Sequence, residues 1–206
     1  MRERDYSLDG CYFVTICTRD RQHYLGEVEN RQVRLSAAGE ILQTCWLEIP
    51  RHFPFARLDE FIIMPNHLHG IVSVGRSVNA NVGGADLRPV KRRPPYKFWR
   101  PDQPLADEDR SKMVLCKIIH GVKSTVIRII NKMDVREDVY CAWQRSFYDH
   151  IIRDETSLQG IREYICSNPW NWDEDVENPL YLAALPEKRR QQEAMDHYRK
   201  IFFENR

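Results

Sequence analysis

Apolar and polar positions divide this chain into alternating strand-like and helix-like stretches. Residues 11–18 form a run rich in β-branched and aromatic side chains, which predicts a buried strand. A short alternating stretch at 32–35 predicts a second, edge-like strand. Ser36 then stands as an N-cap for a helix over 37–48, where Ile41, Leu42, Cys45 and Trp46 make one apolar stripe, and Pro50 is expected to stop it. Residues 57–64 and 67–74 read as two strands joined at Pro65-Asn66, a turn signal, and so as a hairpin. Leu115, Ile118, Ile119, Val122, Val126, Ile129 and Ile130 keep helical spacing within a long helix over 111–132. A strand at 147–152 follows. Thr156 or Ser157 is the expected cap of a helix running to Ser167, where Asn168-Pro169 closes it because a residue before proline disfavours helical geometry. Residues 186–203 predict a final polar helix.

The order strand, helix, hairpin, helix, strand, helix predicts an α+β fold, an antiparallel sheet with helices packed on one face. Residues 75–110 interrupt it. Gly83-Gly84 and Pro89, Pro94, Pro95, Pro101 and Pro104 leave no room for a long regular element, so this reads as a loop or insertion.

Composition changes this picture little. The 206 residues suit one domain with elaborations, and 42 % hydrophobic and 11 % aromatic residues suit a globular chain. There is no run of about 18 apolar residues, so neither a membrane span nor a membrane partner is predicted. The charged N-terminus lacks the apolar core of a signal peptide. The six cysteines are scattered without a C-x-x-C pair, most in apolar runs, and read as reduced packing residues in a cytoplasmic protein.

Charge matters locally rather than globally. The net charge is only +1, yet Arg88, Lys91, Arg92, Arg93, Lys97 and Arg100 cluster in the insertion, interleaved with Tyr96, Phe98 and Trp99. Basic groups that track phosphates and rings that stack on bases suit single-stranded nucleic acid, although a charge run also suits a plain solvated loop. Lys123 and Arg128 on the long helix are further candidates for DNA contact.

Two stretches carry chemistry. In Met64-Pro65-Asn66-His67-Leu68-His69-Gly70 the histidines are two apart on a strand, so both imidazoles face one side and Leu68 the other. Two neutral imidazoles at one point begin a divalent metal site; the bland alternative is two polar residues on the open face of a hairpin. In the second stretch, Tyr164 and Asn168 share a helix face at i, i+4, with Leu158, Ile161 and Ile165 on the core side. Tyr164 then lies at the margin of that core, where it can reach into a site or simply cover an edge.

Together with Lys123-Ser124 and the segment Phe147-Tyr148-Asp149-His150-x-Ile152-Arg153, these stretches resemble the IS200-type transposases, the single-tyrosine members of the HUH endonucleases. The closer likeness is to the repeat-associated tyrosine transposases. The resemblance covers roughly residues 10 to 172. It implies a ferredoxin-like sheet, with a transposase domain over 1–172 and a C-terminal helical extension over 173–206. It also implies Mg²⁺ or Mn²⁺ bound by His67 and His69, with Asn168 as third ligand where the smallest insertion-sequence enzymes carry glutamine. Tyr164 would be the nucleophile that cuts single-stranded DNA beside a hairpin, forming a 5′-phosphotyrosine and a free 3′-hydroxyl that can rejoin strands. His150 is a candidate assisting group, against the plainer reading of a histidine at a strand end. The resemblance leaves both a monomer and a homodimer sharing the tyrosine helix open. Two rival readings remain: a non-catalytic DNA or RNA hairpin-binding module, and a hydrolytic metal-dependent nuclease without a covalent intermediate.

Overall fold

The computed structural model of the chain describes residues 10–75, 110–132 and 142–199. Its centre is a four-stranded antiparallel sheet built from β1 (Gly10–Cys17), β4 (Ala56–Met64), β5 (His67–Val74) and β6 (Tyr148–Ile152), in the order β4-β5-β1-β6. A two-stranded ribbon, β2 (Gly26–Glu29) with β3 (Gln32–Leu35), stands beside it. β2 is absent from the sequence reading because Gly-Glu-Val-Glu offers a single apolar residue to the pattern. Helices α1 (Ala37–Leu47) and α3 (Arg110–Lys132) connect the strands of the central sheet in the ferredoxin-like order.

Period-two alternation decides which side chain meets which layer. Tyr12, Val14 and Ile16 of β1 and Leu68, Val72 and Val74 of β5 pack against Leu42 and Trp46 of α1 and Leu115, Ile118, Ile119, Val122 and Val126 of α3. Gly70 lies on this face, and a Cβ there would overlap the Trp46 indole, so the strand needs glycine where the helix approaches. The opposite row, Phe13 and Ile71 with Ile152, packs against Ile161 and Ile165 of α4 (Glu155–Ser167). The helix layer of α1 and α3 is therefore as expected, while α4 covers the other face of the sheet. That second face is where the histidines point.

Several local details differ from the sequence reading. Pro50 does not end helical structure but sits in the first turn of a short helix, α2 (Ile49–His52), where its fixed φ fits and its missing N–H is not needed. The cap of α4 is Asp154, whose carboxylate accepts from the Ser157 N–H at 2.7 Å, in place of Thr156 or Ser157. Ser36 caps α1 as expected, accepting from Gly39 N–H. Beyond α4 come two 3₁₀ turns, then α5 (Pro179–Ala184) and α6 (Glu187–Arg199). No described helix is long and apolar enough to cross a membrane. The five described cysteines are free thiols, but Cys116 and Cys166 are exposed rather than packed. The insertion residues Arg88, Lys91, Arg92, Arg93, Lys97 and Arg100 lie outside the described residues.

The tyrosine helix is pinned to the sheet edge by charge as well as by packing. A register shift in β4 between Leu58 and Phe61 marks the stretch that contains Asp59. Its carboxylate accepts two bonds from Arg162 of α4, at 2.8 Å from Nε and 2.7 Å from an Nη. This bidentate pairing holds the Asp59 carboxyl below its ordinary value. A carboxylate with a depressed pKa adds stability that is fully present above its unfolded value, about 3.9, and is lost as pH falls through the folded one. Replacing Asp59 by Asn is therefore expected to cost about 1 kcal/mol at pH 7, measured by urea unfolding. That difference should shrink on acidification below about pH 4.

Candidate active site

Strand β5 delivers both histidines to the α4 face. His67 pairs across the sheet with Cys17, and His69 with Thr15. Both are fully buried, with ring centroids 4.4 Å apart. Phe13, the next residue on that face of β1, stacks on His69 at 5.2 Å and meets the ring of Tyr164 edge-on at 6.2 Å. From α4, the Tyr164 hydroxyl reaches the Nε2 of His69 at 3.1 Å. The margin position predicted for Tyr164 thus places its oxygen in direct contact with the histidine pair.

Backbone and side-chain partners orient His67. Asn66, in the hairpin turn, donates through Nδ2 to the carbonyls of Arg21 at 3.2 Å and Glu177 at 2.7 Å. Its Oδ1 is then the acceptor facing Nδ1 of His67 at 2.8 Å. The proton of His67 accordingly sits on Nδ1, and Nε2 presents a lone pair. That Nε2 is buried and has no hydrogen-bond partner. Burial pushes the His67 pKa down, against the opposing pull of the Asp175 and Glu177 charges, so the ring is neutral near pH 7. On His69, Nδ1 is bonded to the Thr15 hydroxyl at 2.9 Å, which can serve either tautomer.

The segment after the tyrosine helix closes over this cluster. Asn168 ends α4 and donates through Nδ2 to Asp175 Oδ2 at 3.1 Å, while its own Oδ1 is buried without a hydrogen-bond partner. Asp175 is itself buried, and its second oxygen accepts from the Glu177 N–H at 2.6 Å. Among the described residues, His67, His69 and Asp175 offer ligand atoms that all lie within 4.8 Å of one another. Buried polar groups are normally bonded, so His67 Nε2 and Asn168 Oδ1, without a hydrogen-bond partner beside a buried carboxylate, fit the binding of a cation. Two imidazole nitrogens and hard oxygens from Asp175 and Asn168 make a donor set suited to a divalent ion.

Tyr164 feels the same surroundings. Its pKa is raised well above the ordinary phenol, first by burial and then by the charges of Asp175 and Glu177. Glu177 is anchored by Arg21 Nε at 3.0 Å and by the Cys17 thiol at 3.6 Å. Beside the cluster lies a cleft of about 230 Å³, bounded by Thr15, Cys17, Gln144, Ser146, Phe147, Tyr148 and Glu177, which brings open space up to residues that touch both histidines.

No protein-family model matches the chain. A Haemophilus influenzae protein described only as uncharacterized is 34 % identical over 175 residues, covering 85 % of this chain and 88 % of its own length. A second protein of that organism, named "Putative REP-associated tyrosine transposase", is 25 % identical over 167 residues, covering 81 % of this chain and 73 % of its own. A solved REP-associated tyrosine transposase bound to a REP hairpin shares the fold at a TM-score of 0.50 and 18 % identity, covering 84 % of this chain and 74 % of that one. The chain is thus similar in sequence to a protein named as a REP-associated tyrosine transposase and shares the fold of a solved one.

Measured against that likeness, the chain brings some of the residues expected at its site together and leaves others apart. His67, His69, Tyr164 and Asn168 converge. His150, on β6, shares their face of the sheet but pairs with Phe13 of β1, two strands from His69 and two residues further along. That separates the two backbones by roughly 12 Å. Lys123 is buried on α3, and its ammonium donates to the carbonyls of Gln144 at 2.9 Å and Ser146 at 2.8 Å. It thereby braces the wall of the cleft that Gln144 and Ser146 line. Arg128 lies near Cys45 of α1, in the helix layer across the sheet from the histidines.

Asp175 and Glu177 are the residues that sequence reasoning missed. A division at residue 172 puts both in the C-terminal extension, whereas in the structure they are buried against the histidine strand. The run Asp173-Glu174-Asp175-Val176-Glu177 reads as solvated acid. The available signal was Trp172 and Val176, two apolar residues four apart that are both buried and tie the segment down.

Proposed function

We propose that this chain is a metal-dependent single-stranded DNA endonuclease and strand transferase that acts through a 5′-phosphotyrosine on Tyr164. One observation carries the reading: the Tyr164 hydroxyl sits 3.1 Å from Nε2 of His69, inside the buried group formed with His67 and Asp175. A phenol used only as a packing residue has no need of two buried imidazoles and a buried carboxylate beside it, with His67 Nε2 and Asn168 Oδ1 lacking a hydrogen-bond partner.

The chemistry follows from that arrangement. The phenolic oxygen attacks the scissile phosphorus, the bond from phosphorus to the 3′ oxygen breaks, and the 3′ oxygen leaves as a hydroxyl after taking a proton. The phenolic proton must depart as the bond forms, and the carboxylates of Asp175 and Glu177 are the charges that already bear on it. His67, His69, Asp175 and Asn168 would hold Mg²⁺ or Mn²⁺, which supplies Lewis-acid polarisation of the phosphate and offsets the acidic surroundings of the phenol. Asn66 keeps the His67 lone pair aimed inward, and Thr15 orients His69. The phosphotyrosine conserves the energy of the broken bond, so a 3′-hydroxyl can attack it and restore a phosphodiester without ATP.

The substrate we infer is a single strand beside a hairpin, a reading supported by the fold shared with a solved protein bound to a REP hairpin. The test is incubation with labelled hairpin oligonucleotides that carry single-stranded flanks, with Mg²⁺ or Mn²⁺, followed by denaturing electrophoresis. A covalent protein–DNA band that EDTA abolishes is expected. Cleaved DNA without such a band would assign a hydrolytic nuclease, and tight binding without cleavage would assign a binding module.

A further inference from the structure

We infer that Trp170, with the Arg31 guanidinium laid over it, is a stacking platform for a base of the single strand entering the site. This rests on the reading of the chain as a single-strand DNA enzyme. Of the four described tryptophans, Trp46, Trp143 and Trp172 are buried, while Trp170 is 63 % exposed. Tryptophan is highly buried on average, so an open indole on a rigid turn is the exception that calls for a partner. It stands two residues beyond Asn168, in a 3₁₀ turn whose other members, Asn168 and Pro169, are buried in the site wall. The ring is therefore held rigidly at the rim of the cluster that contains Tyr164.

Arg31 comes from the tip of the β2–β3 ribbon, and its guanidinium carbon lies 4.8 Å from the ring centroid. Asn30 and Arg31 both have positive φ, 52° and 62°, as the two central residues of a tight hairpin turn. Glycine is the usual occupant of the second of those positions, so arginine is placed there at some conformational cost. Among the described residues Arg34, further along the ribbon, is paired with Glu27 and Glu29, whereas the contact shown for Arg31 is the indole. A cation over one face of an exposed indole leaves the other face open to a planar ring and sets a positive charge beside it for the adjoining phosphate. Base on aromatic with arginine beside it is the arrangement that binds single strands with little regard to sequence.

The test compares two hairpin oligonucleotides, one with single-stranded flanks and one blunt, binding to the full-length protein. Trp170→Ala is expected to weaken binding of the flanked DNA about tenfold and leave the blunt hairpin unchanged. Trp170→Phe should restore most of the loss, and Arg31→Ala should weaken the flanked DNA by a smaller factor. Flanked DNA should also quench tryptophan emission in the wild type by more than in Trp170→Phe. If Trp170→Ala binds both DNAs as the wild type does and still forms the covalent adduct, the platform is refuted and the enzyme reading stands. If the wild type binds neither DNA, both fall together. Because Trp170 is exposed, the thermal midpoint of the variants should match the wild type, and binding losses then report contact with DNA.

Discussion

Tyr164→Phe is expected to abolish the covalent protein–DNA adduct while leaving hairpin binding within a few-fold of the wild type. The substitution removes one oxygen and leaves the ring that packs edge-on against Phe13. The lost bond to His69 is a single buried hydrogen bond, worth about 1 kcal/mol, so the fold survives. Loss of the nucleophile is a different order of effect, about 10³-fold or more in cleavage. The raised pKa of the phenol sets the condition for activity. Burial and the nearby carboxylates favour the protonated phenol of Tyr164, so on the proposed mechanism its proton has to leave during attack. A Tyr164→Phe protein that still cleaves would remove the tyrosine from the mechanism and leave a hydrolytic nuclease.

Asp175→Asn is expected to lower divalent-metal affinity by about 10- to 100-fold, read by Mn²⁺ titration followed by electron paramagnetic resonance. Asparagine preserves the size of the side chain and removes its charge. The polar atoms of His67, His69 and position 175 lie within one ion's reach, and loss of the only carboxylate in that group removes its one formal negative charge. A second consequence separates this role from simple packing. The Asp175 charge is the largest electrostatic cause, after burial, of the raised Tyr164 pKa, so the variant's phenol should titrate at lower pH than the wild type's. An ultraviolet titration of metal-free protein reads that shift, and burial, the larger cause, should still hold the value above 10. Unchanged Mn²⁺ affinity in Asp175→Asn would return the third ligand to Asn168 alone.

Much of the site was legible because its two halves obey local periodicities. The i, i+2 spacing of His67 and His69 on a strand determines that both rings share one face whatever the rest of the fold does. The i, i+4 spacing of Tyr164 and Asn168 does the same on a helix, and the apolar positions Leu158, Ile161 and Ile165 left the tyrosine at the margin of a core. Lys123 shows where local reasoning stops. A lysine on an amphipathic helix reads as solvated, yet here it turns inward and holds two carbonyls of a segment about twenty residues away. The cost of burying an ammonium, seen in its lowered pKa, is met by those carbonyls, which no window of sequence contains.

By itself, then, the sequence determined the α+β order of elements, the hairpin that pairs the histidines and the helix that presents the tyrosine, because each depends on residues within one or two turns or strands of each other. Tertiary structure alone decided which face of the sheet α4 covers. It also decided that Asn66 would be tied to the Glu177 carbonyl 111 residues away and that Asp175 would join the two histidines. Those outcomes depend on chain closure. Asp175 and Glu177 become part of the site when Trp172 and Val176 bury themselves and draw an acidic run, which water would otherwise solvate, against the two buried histidines.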